Sequence, residues 1–390
     1  MPPPPIVSDV IILGASARAA AHSAQRASLR SWCCDLFVDQ DLVEVAEVAD
    51  RCAADVYPWA LVDWLDRAAL PSDAPVLLTG ALENHARLVA AVAGRRPLWT
   101  PGPAAILAVR DPRIFATLPL PGSVVPCATA VDAASIARWH AGEAGPTAFL
   151  SKPRFGAAGR GIHRGPHRPA GRSQRYCQAY VEGLPISVVY RAGSERTACL
   201  GVTRQLIGEA AFGAGGFRYC GNIGPLWVSP SQREGLMALG EALVQRCGLC
   251  GLFGIDAIID QAGCVRPLEV NPRYTAGIEV LERAGTAPVL AAFGRERDGS
   301  HDVDAAHATV TGKAVVYARD DGVTPALASV LGGMHVADVP AAGTFVRRDE
   351  PICTVLASAG DGEACEAALR RLAAKVYAVM GEAEKSPRDA

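Results

Sequence analysis

Residues 251–273 (GLFGIDAIIDQAGCVRPLEVNPR) constrain the fold most, because their pattern predicts two strands and the turn between them. GIDAIID alternates apolar and polar residues, QAG supplies turn residues, and CVRPLEV is apolar again before NPR breaks the pattern. Glu269 and Asn271 share a face of their strand, and cross-strand pairing could bring Asp256 opposite them. Two carboxylates and an amide oxygen suit Mg²⁺, and Arg273 could hold a phosphate or an oxyanion.

A lysine and a glycine-rich loop precede this hairpin, in FLSKPRFGAAGRGI. Glycines let backbone N–H groups approach a phosphate and a lysine adds charge, so the pattern predicts a nucleotide-phosphate site. It is not a Walker P-loop, because the GK[ST] ending is absent. Taken alone, the hairpin is also compatible with a surface turn that bears two exposed acids. The residues expected to contact the nucleotide here are Lys152, Gly156, Ala158, Gly159 and Gly161.

Lysine, glycine-rich loop, apolar hinge and the run D…E-x-N-x-R, in that order, resemble the ATP-grasp superfamily. The resemblance implies two α+β subdomains that hold ATP between them, with acids of the second subdomain on Mg²⁺. It also implies a reaction that converts a carboxylate into an acyl phosphate and joins it to an amine or another nucleophile. The roles implied are Lys152 on the ATP phosphates, Asp256, Glu269 and Asn271 on Mg²⁺, and Arg273 on the transferred phosphoryl group.

Residues 177–185 (CQAYVEGLP) resemble the adenine hinge of that family. By position, backbone groups of Tyr180 and Val181 would contact the adenine edge, and Gln178 stands where an acid is usual. Glu182 could take the place of a ribose-binding glutamate that is missing here. An ordinary interdomain strand is the alternative interpretation.

Residues 208–226 are rich in glycine and aromatic residues, too apolar for a solvated linker and too irregular for a regular element. Long loops of this kind usually bind a ligand. Candidate substrate contacts here and just upstream are Arg204, Arg218, Tyr219 and Asn222, with Arg218 also a candidate catalytic residue. For each residue, simple loop packing is the alternative.

The N-terminal third alternates strand and helix patterns, which predicts a parallel, doubly wound sheet. Ser16 lies at the first strand-to-helix turn, where an anion or substrate can be received, although a plain tight turn with an N-cap fits equally well. The second strand is expected to end at Asp39, where a dinucleotide fold places its ribose acid. The G-x-G-x-x-G fingerprint fails, however, so the ATP-grasp resemblance implies that this domain serves the co-substrate.

Residues 100–126 are punctuated by Pro and Gly and mark a domain boundary. Many ATP-grasp relatives carry a second phosphate-binding lysine there, and Arg113 could replace it, although arginine is not an equivalent donor. The expected fold is α/β and α+β, an ATP-grasp fold in four parts. These are a Rossmann-like domain at 1–110, a lid at 111–185, a catalytic subdomain at 186–308 and a β-rich C-terminal extension at 309–390.

Composition argues against several other classes of protein. The net charge is −2 with no basic run, so nucleic acid is not an expected partner. No apolar run reaches the ~18 residues of a membrane helix, and the lack of a signal-peptide pattern predicts a cytoplasmic location. The twelve cysteines, including the C-x-x-C of Cys247 and Cys250, are interpreted as small apolar residues rather than a zinc or redox site. Residues 296–308 are interpreted as a solvated polar loop.

Within the superfamily, the runs TRQLIG, GNIGPL and EVNPRYTAGIE look similar to a carboxylase-related branch. That branch includes tyramine–glutamate ligase and ATP-grasp proteins of methanofuran- and tetrahydromethanopterin-linked one-carbon metabolism. The resemblance implies an ATP- and Mg²⁺-dependent ligase acting on small-molecule carboxylate and amine substrates, with glutamate as the carboxylate. A biotin-carboxylase-like enzyme and a non-catalytic ATP-binding subunit remain alternatives, and a homodimer is left open.

Overall fold

The computed structural model of the chain describes residues 7–166, 174–193, 196–293, 309–332 and 335–385. The predicted polar loop at 296–308, and with it the predicted end of the catalytic subdomain, lies outside the described residues. In the described ranges, no helix combines the length and apolar character needed to cross a membrane.

The chain alternates strands with helices in its N-terminal third and is mostly antiparallel sheet afterwards. The strands are β1 (Asp9–Leu13), β2 (Arg30–Asp35), β3 (Val48–Arg51), β4 (Val76–Leu78), β5 (Thr129–Ala130), β6 (Phe149–Pro153), β7 (His163–Arg164), β8 (Arg175–Ala179), β9 (Gly183–Ala192), β10 (Thr197–Ile207), β11 (Tyr219–Gly224), β12 (Gly251–Asp260), β13 (Val265–Asn271), β14 (Val310–Tyr317), β15 (Gly322–Val323), β16 (Val336–Ala337), β17 (Phe345–Val346) and β18 (Pro351–Ala359). The helices are α1 (Arg18–Arg26), α2 (Gln40–Val43), α3 (Ala60–Arg67), α4 (Ala86–Ala93), α5 (Pro103–Val109), α6 (Ala133–His140), α7 (Pro230–Cys247), α8 (Ala276–Arg283), α9 (Leu327–Leu331) and α10 (Gly362–Lys385). Short 3₁₀ helices lie at Leu82–Asn84, Ile114–Thr117, Ala210–Phe212 and Val289–Ala292.

The N-terminal sheet has the strand order β3-β2-β1-β4 and is parallel throughout. Alternate residues of the fully buried β1 face opposite layers: Val10 and Ile12 pack with α1, whereas Ile11 and Leu13 pack with α3 and α4. Helices on both faces account for the continuous apolar run of this strand. The predicted doubly wound domain is confirmed.

The second strand ends at Asp35, so the predicted end at Asp39 is wrong. Backbone N–H groups of Phe37 and Val38 donate to Asp35 Oδ1 at 3.0 and 2.8 Å and turn the chain out of the strand. Asp39 instead precedes α2 and is buried. Burial, and then the charges of Asp338 and Asp41, raise the pKa of Asp39 to about 8. Asp39 is therefore part of an internal acidic cluster and not a ribose-binding acid.

An eight-stranded sheet forms the body of the protein, in the order β13-β12-β9-β10-β11-β14-β18-β16. The last three strands belong to the predicted C-terminal extension, yet β14 pairs antiparallel with β11 and continues the catalytic sheet. The C-terminal region is therefore built into the same sheet and is not a separate appendix. Helices α7 and α10 cover one face of this sheet, and α8 packs on the other.

A buried ion-pair network fastens the N-terminal domain to this body. Glu279 of α8 accepts hydrogen bonds from Lys313 Nζ at 2.5 Å and from Arg18 Nη2 at 3.2 Å. Arg18 Nε also donates to Asp338 Oδ1 at 3.0 Å. The Arg18 and Lys313 charges hold the pKa of Glu279 well below its usual range against the opposing effect of burial. The Glu279 carboxylate of α8 thus connects α1, through Arg18, with β14, through Lys313.

The lid is a four-stranded antiparallel sheet in the order β5-β8-β6-β7. Its small core of Ala130, Phe149 and Cys177 is extended by Ile136 and Trp139 of α6. This core is far smaller than those of the other layers, so few apolar contacts hold the lid in place.

Candidate active site

The hairpin of β12 and β13 brings the predicted metal ligands together. Asp256 lies opposite Glu269 and Gly254 lies opposite Asn271 in the strand register. Asn271 Nδ2 donates to Asp256 Oδ2 at 2.9 Å. Burial, and then the charge of Glu269, raise the pKa of Asp256 to about 7. Within the described residues no group of three His, Cys, Asp or Glu side chains is arranged for a metal, but two carboxylates and an amide remain a fitting set for Mg²⁺.

A chain of hydrogen bonds runs from this pair to the N-terminal domain. Arg273 Nη2 donates to Asn271 Oδ1 at 3.1 Å, and Arg273 Nε donates to Glu83 Oε1 at 2.9 Å. At the other end, Gln205 Nε2 donates to Asp256 Oδ1 at 2.9 Å. Glu83 was not among the predicted residues. Its signal was its place just after β4, at the carboxyl edge of a parallel sheet, where α/β proteins bind ligands.

Polar side chains cross the same face of the large sheet, from β13 to β14. Register places Ser187 opposite Asp256, and Asn222 opposite both Gln205 and Lys313. We call this row the polar ribbon; its members are Glu269, Asp256, Ser187, Thr203, Gln205, Asn222 and Lys313. Asn222 Nδ2 donates to Thr203 Oγ1 at 2.8 Å, and the Tyr219 hydroxyl donates to Asn222 Oδ1. The structure therefore brings the candidate substrate contacts Tyr219 and Asn222 to the site.

The two arginines predicted as substrate contacts point elsewhere. Adjacent residues of a strand face opposite sides, so Arg204 lies on the other face of β10 from Gln205 and pairs with Glu366 of α10. Arg218 stacks over the Tyr317 ring at 4.0 Å and donates to Asp349 Oδ1 at 3.2 Å. Both guanidinium groups thus contact the C-terminal region and not the polar ribbon, and their predicted contact with a substrate stays a prediction.

Lys152 belongs to lid strand β6 and is almost completely buried. Its Nζ donates to Gln178 Oε1 at 3.2 Å, and Gln178 Nε2 donates to the Leu268 carbonyl of the hairpin at 3.3 Å. Burial disfavours the charged amine, but the neighbouring Tyr176 and Glu269 outweigh it and raise the pKa of Lys152. The lysine is therefore a cation held beside the predicted metal site.

A cavity separates the lid from the hairpin. Its walls contain four cations and one acid of the predicted metal site: Arg110, Lys152, Arg154, Arg160 and Glu269. Arg110 Nη2 donates to the Arg154 carbonyl at 2.9 Å, which ties the boundary segment to the glycine loop. Arg113 is more than half exposed and pairs with Asp111. It lines a second cavity with Gln178. Arg110, which was not among the predicted site residues, is the cation of residues 100–126 that lines the cavity between lid and hairpin.

The glycine-rich loop is closed against the loop before β11. Gly159 has φ +72°, and a Cβ built on it would lie 1.7 Å from the Phe217 carbonyl oxygen. Tyr219 N donates to the Ala158 carbonyl at 3.1 Å. The Gly156 carbonyl accepts from Asn84 Nδ2 at 3.2 Å, and Gly161 has φ +73°. Close approach to Phe217 therefore requires glycine at Gly159, and contact of this loop with a phosphate stays a prediction.

The predicted hinge connects β8 to β9. Tyr180 N donates to the Ala148 carbonyl at 3.0 Å, inside the lid, and the Arg164 guanidinium stacks 4.0 Å from the Tyr180 ring centroid. Val181 is half-buried and Glu182 is exposed. Because Tyr180 N already has a partner, the backbone groups left for the predicted adenine contact are the Tyr180 carbonyl and those of Val181. This contact stays a prediction.

The predicted anion site at the start of α1 holds an internal anion. Ala17 N donates to Asp35 Oδ2 at 2.8 Å, and the Ser16 carbonyl accepts from Thr79 Oγ1 at 2.8 Å. The helix N-terminus is thus neutralised by the acid that ends β2. Contact of Ser16 with a substrate remains a prediction.

Comparison with known proteins agrees with this architecture. Residues 118–277 match the family model described as an ATP-grasp domain. Biotin carboxylase from Campylobacter jejuni is 14% identical with a TM-score of 0.68, covering 93% of this chain and 90% of that one. N5-carboxyaminoimidazole ribonucleotide synthetase from Thermotoga maritima is 12% identical with a TM-score of 0.63, covering 95% and 98%. A putative ATP-grasp superfamily protein from Archaeoglobus fulgidus is 17% identical with a TM-score of 0.56, covering 88% and 99%.

A comparison with curated proteins gives no significant match. The chain has the ATP-grasp fold. At these low identities, the similar structures establish the fold and not the reaction.

Proposed function

We propose that this protein is an ATP-dependent ligase that activates a carboxylate as an acyl phosphate and transfers the acyl group to an amine. The observation that carries the proposal is the cavity between lid and hairpin, whose charged lining residues are four cations and two acids: Arg110, Lys152, Arg154, Arg160, Asp111 and Glu269. A triphosphate needs such cations, and Glu269, with Asp256 opposite it on the hairpin, suits the Mg²⁺ that accompanies it.

The residues present fit MgATP by charge. Lys152 is a buried cation beside Glu269, and Gly159 lets the glycine-rich loop pack against the Phe217 carbonyl. Asp256, Glu269 and Asn271 would hold Mg²⁺, which supplies charge neutralisation between the phosphates. Arg273 is fixed on both sides by Glu83 and Asn271 and would orient the phosphoryl group or the acyl phosphate. Catalysis of this kind depends on positioning and electrostatics.

For the substrates we propose glutamate as the carboxylate and a tyramine- or pterin-type amine, in biosynthesis of a methanofuran- or methanopterin-type cofactor. The support is the similarity of the runs GNIGPL and EVNPRYTAGIE to that branch of the superfamily. A carboxylase that activates bicarbonate is the second candidate, favoured by the likeness to biotin carboxylase over 93% of the chain.

The test is phosphate release from MgATP with glutamate alone, glutamate plus each of a panel of amines, or bicarbonate alone, beside mass spectrometry of the products. An amine-dependent signal with a new amide mass, lost in Glu269→Gln, supports the ligase. A signal with bicarbonate alone supports the carboxylase. If the protein binds ATP but gives no turnover with any of these, the ligase proposal fails for this panel and the non-catalytic alternative gains.

A further inference from the structure

Glu83 carries a buried carboxylate oxygen that no described group satisfies. Its Oε1 accepts from Arg273 Nε at 2.9 Å, whereas its Oε2 has no hydrogen-bond partner among the described residues. The side chain is 2% exposed. Buried polar atoms are nearly always hydrogen-bonded in folded proteins, so an acceptor kept without a donor points to a group that arrives from outside.

The donor side chains near Glu83 bind other acceptors. Arg273 Nη2 donates to Asn271 Oδ1 at 3.1 Å and Arg273 Nη1 donates to the Tyr274 carbonyl at 3.2 Å. The Tyr57 ring is a neighbour, because burial and then the Glu83 charge raise the pKa of its hydroxyl. That hydroxyl, however, donates to the Gly80 carbonyl at 3.3 Å.

Glu83 lies between two parts of the candidate active site, the glycine-rich loop and Arg273. The 3₁₀ helix Leu82–Asn84 follows β4 at the carboxyl edge of the N-terminal sheet, where Arg273 contacts Glu83. The next residue, Asn84, donates to the Gly156 carbonyl of the glycine loop at 3.2 Å. This short helix therefore contacts both the phosphate loop and the arginine beside the predicted metal site.

We propose that Glu83 Oε2 accepts an N–H of the attacking amine, so that Leu82–Asn84 forms the amine subsite. This inference rests on the proposed ligase function. A carboxylate oxygen attracts an N–H donor and repels a second anion, and Arg273 next to it serves the anionic partner, which separates the two substrates by charge.

The step balances with the groups named. The amine nitrogen forms a bond to the acyl carbon with its lone pair, while the bond from that carbon to the phosphoryl-bearing oxygen breaks. Phosphate leaves with that electron pair, and one N–H proton passes to Glu83 Oε2 and then to solvent. Glu83 thereby holds the nucleophile and accepts its proton at one atom.

Glu83→Gln separates this role from the support of Arg273. The amide keeps a carbonyl oxygen for Arg273 Nε and places an NH₂ donor where the amine would donate. Asp66→Asn is the matched control, since Asp66 also binds an arginine, Arg95, on the surface of the same domain. Two readouts are needed in each protein: positional isotope exchange in γ-¹⁸O-labelled ATP with a carboxylate panel headed by L-glutamate and no amine, and the KM for hydroxylamine in hydroxamate formation.

The inference predicts that Glu83→Gln keeps isotope exchange within about twofold of wild type and raises the hydroxylamine KM at least about tenfold, with Asp66→Asn unchanged in both. An unaltered KM overturns the amine subsite. Equal loss of exchange and of hydroxamate formation overturns it too, because that is the signature of a displaced Arg273. Absence of exchange in wild type with every carboxylate defeats the proposed function itself, and the subsite with it.

A wild-type measurement covers the case in which the variant does not fold. Methylamine, which carries N–H groups, should compete with hydroxylamine, and tetramethylammonium, which carries none, should not. Equal competition by the two cations would show that no N–H acceptor is at work and would overturn the inference.

Discussion

Substitution of Gly159 by alanine tests how the glycine loop closes on the rest of the site. The added Cβ would lie 1.7 Å from the Phe217 carbonyl oxygen, whereas real Cβ atoms essentially never come under 3.0 Å. The loop must therefore move by the difference, 1.3 Å, which pulls the Ala158 carbonyl away from Tyr219 N, its donor at 3.1 Å. Losing that bond and leaving its groups unpaired costs about 2–3 kcal/mol.

Gly165→Ala is the matched control, because Gly165 lies in the same lid at φ +74° but a Cβ there meets no atom of the described residues within 4 Å. Both variants carry the strain of a left-handed alanine, about 1 kcal/mol, so only the collision differs between them. If MgATP binding requires the closed loop, the variant must meet this cost of about 2–3 kcal/mol on binding, and we expect MgATP to bind Gly159→Ala about 30- to 150-fold more weakly than Gly165→Ala. Isothermal titration calorimetry measures this, with melting temperatures recorded alongside. Equal affinities in the two variants would refute the role given to this contact.

Three further changes test other parts of the account. Gln205→Leu should lower the rate of MgATP-dependent phosphate release roughly 10-fold or more, because it removes a donor to the Asp256 carboxylate. Arg204→Ala, on the opposite face of the same strand, should leave that rate within about twofold. Equal losses in the two variants would contradict the faces assigned to these side chains. Glu279→Gln should lower the free energy of unfolding by about 3 kcal/mol in urea titrations, since buried Lys313 loses its ion-pair partner and Arg18 loses one of its two carboxylate hydrogen-bond partners; a loss below about 1 kcal/mol would contradict this. Burial raises the pKa of the Asp39 carboxyl from 3.8 to about 8, so the free-energy penalty of this acid is absent below pH 3.8, grows between pH 3.8 and about 8, and is constant above that. Asp39→Asn should therefore gain stability over wild type by at least about 1.4 kcal/mol between pH 5 and pH 9, and a constant difference would count against it.

The hairpin and the glycine loop were predictable because their signals are local. A period of two places Glu269 and Asn271 on one face whatever the surroundings. The spacing of glycines after Lys152 likewise depends only on what a backbone must do near a phosphate. Lys152, Gly159 and Glu269 line one cavity, and Asn271 donates to Asp256 on the same hairpin.

Pairings across long stretches of sequence were not predictable. Glu83 and Arg273 are 190 residues apart, and no periodicity relates a 3₁₀ turn after one sheet to a loop after another. The choice between Arg204 and Gln205 depended on strand register, since a shift of one residue exchanges the two faces. The pairing of β14 with β11 was not predictable either, because a hydrophobic pattern identifies a strand but not the strand beside it.

The central claim is that the cavity between lid and hairpin activates a carboxylate with ATP. Positional isotope exchange in γ-¹⁸O-labelled ATP tests it most directly, because scrambling reports a reversible phosphoryl transfer before any amine is added. We predict scrambling that requires both a carboxylate and Mg²⁺, is abolished by Glu269→Gln and persists in Arg204→Ala. Scrambling that survives in Glu269→Gln, or its absence in wild type with every carboxylate and with bicarbonate while MgATP still binds, would contradict the account.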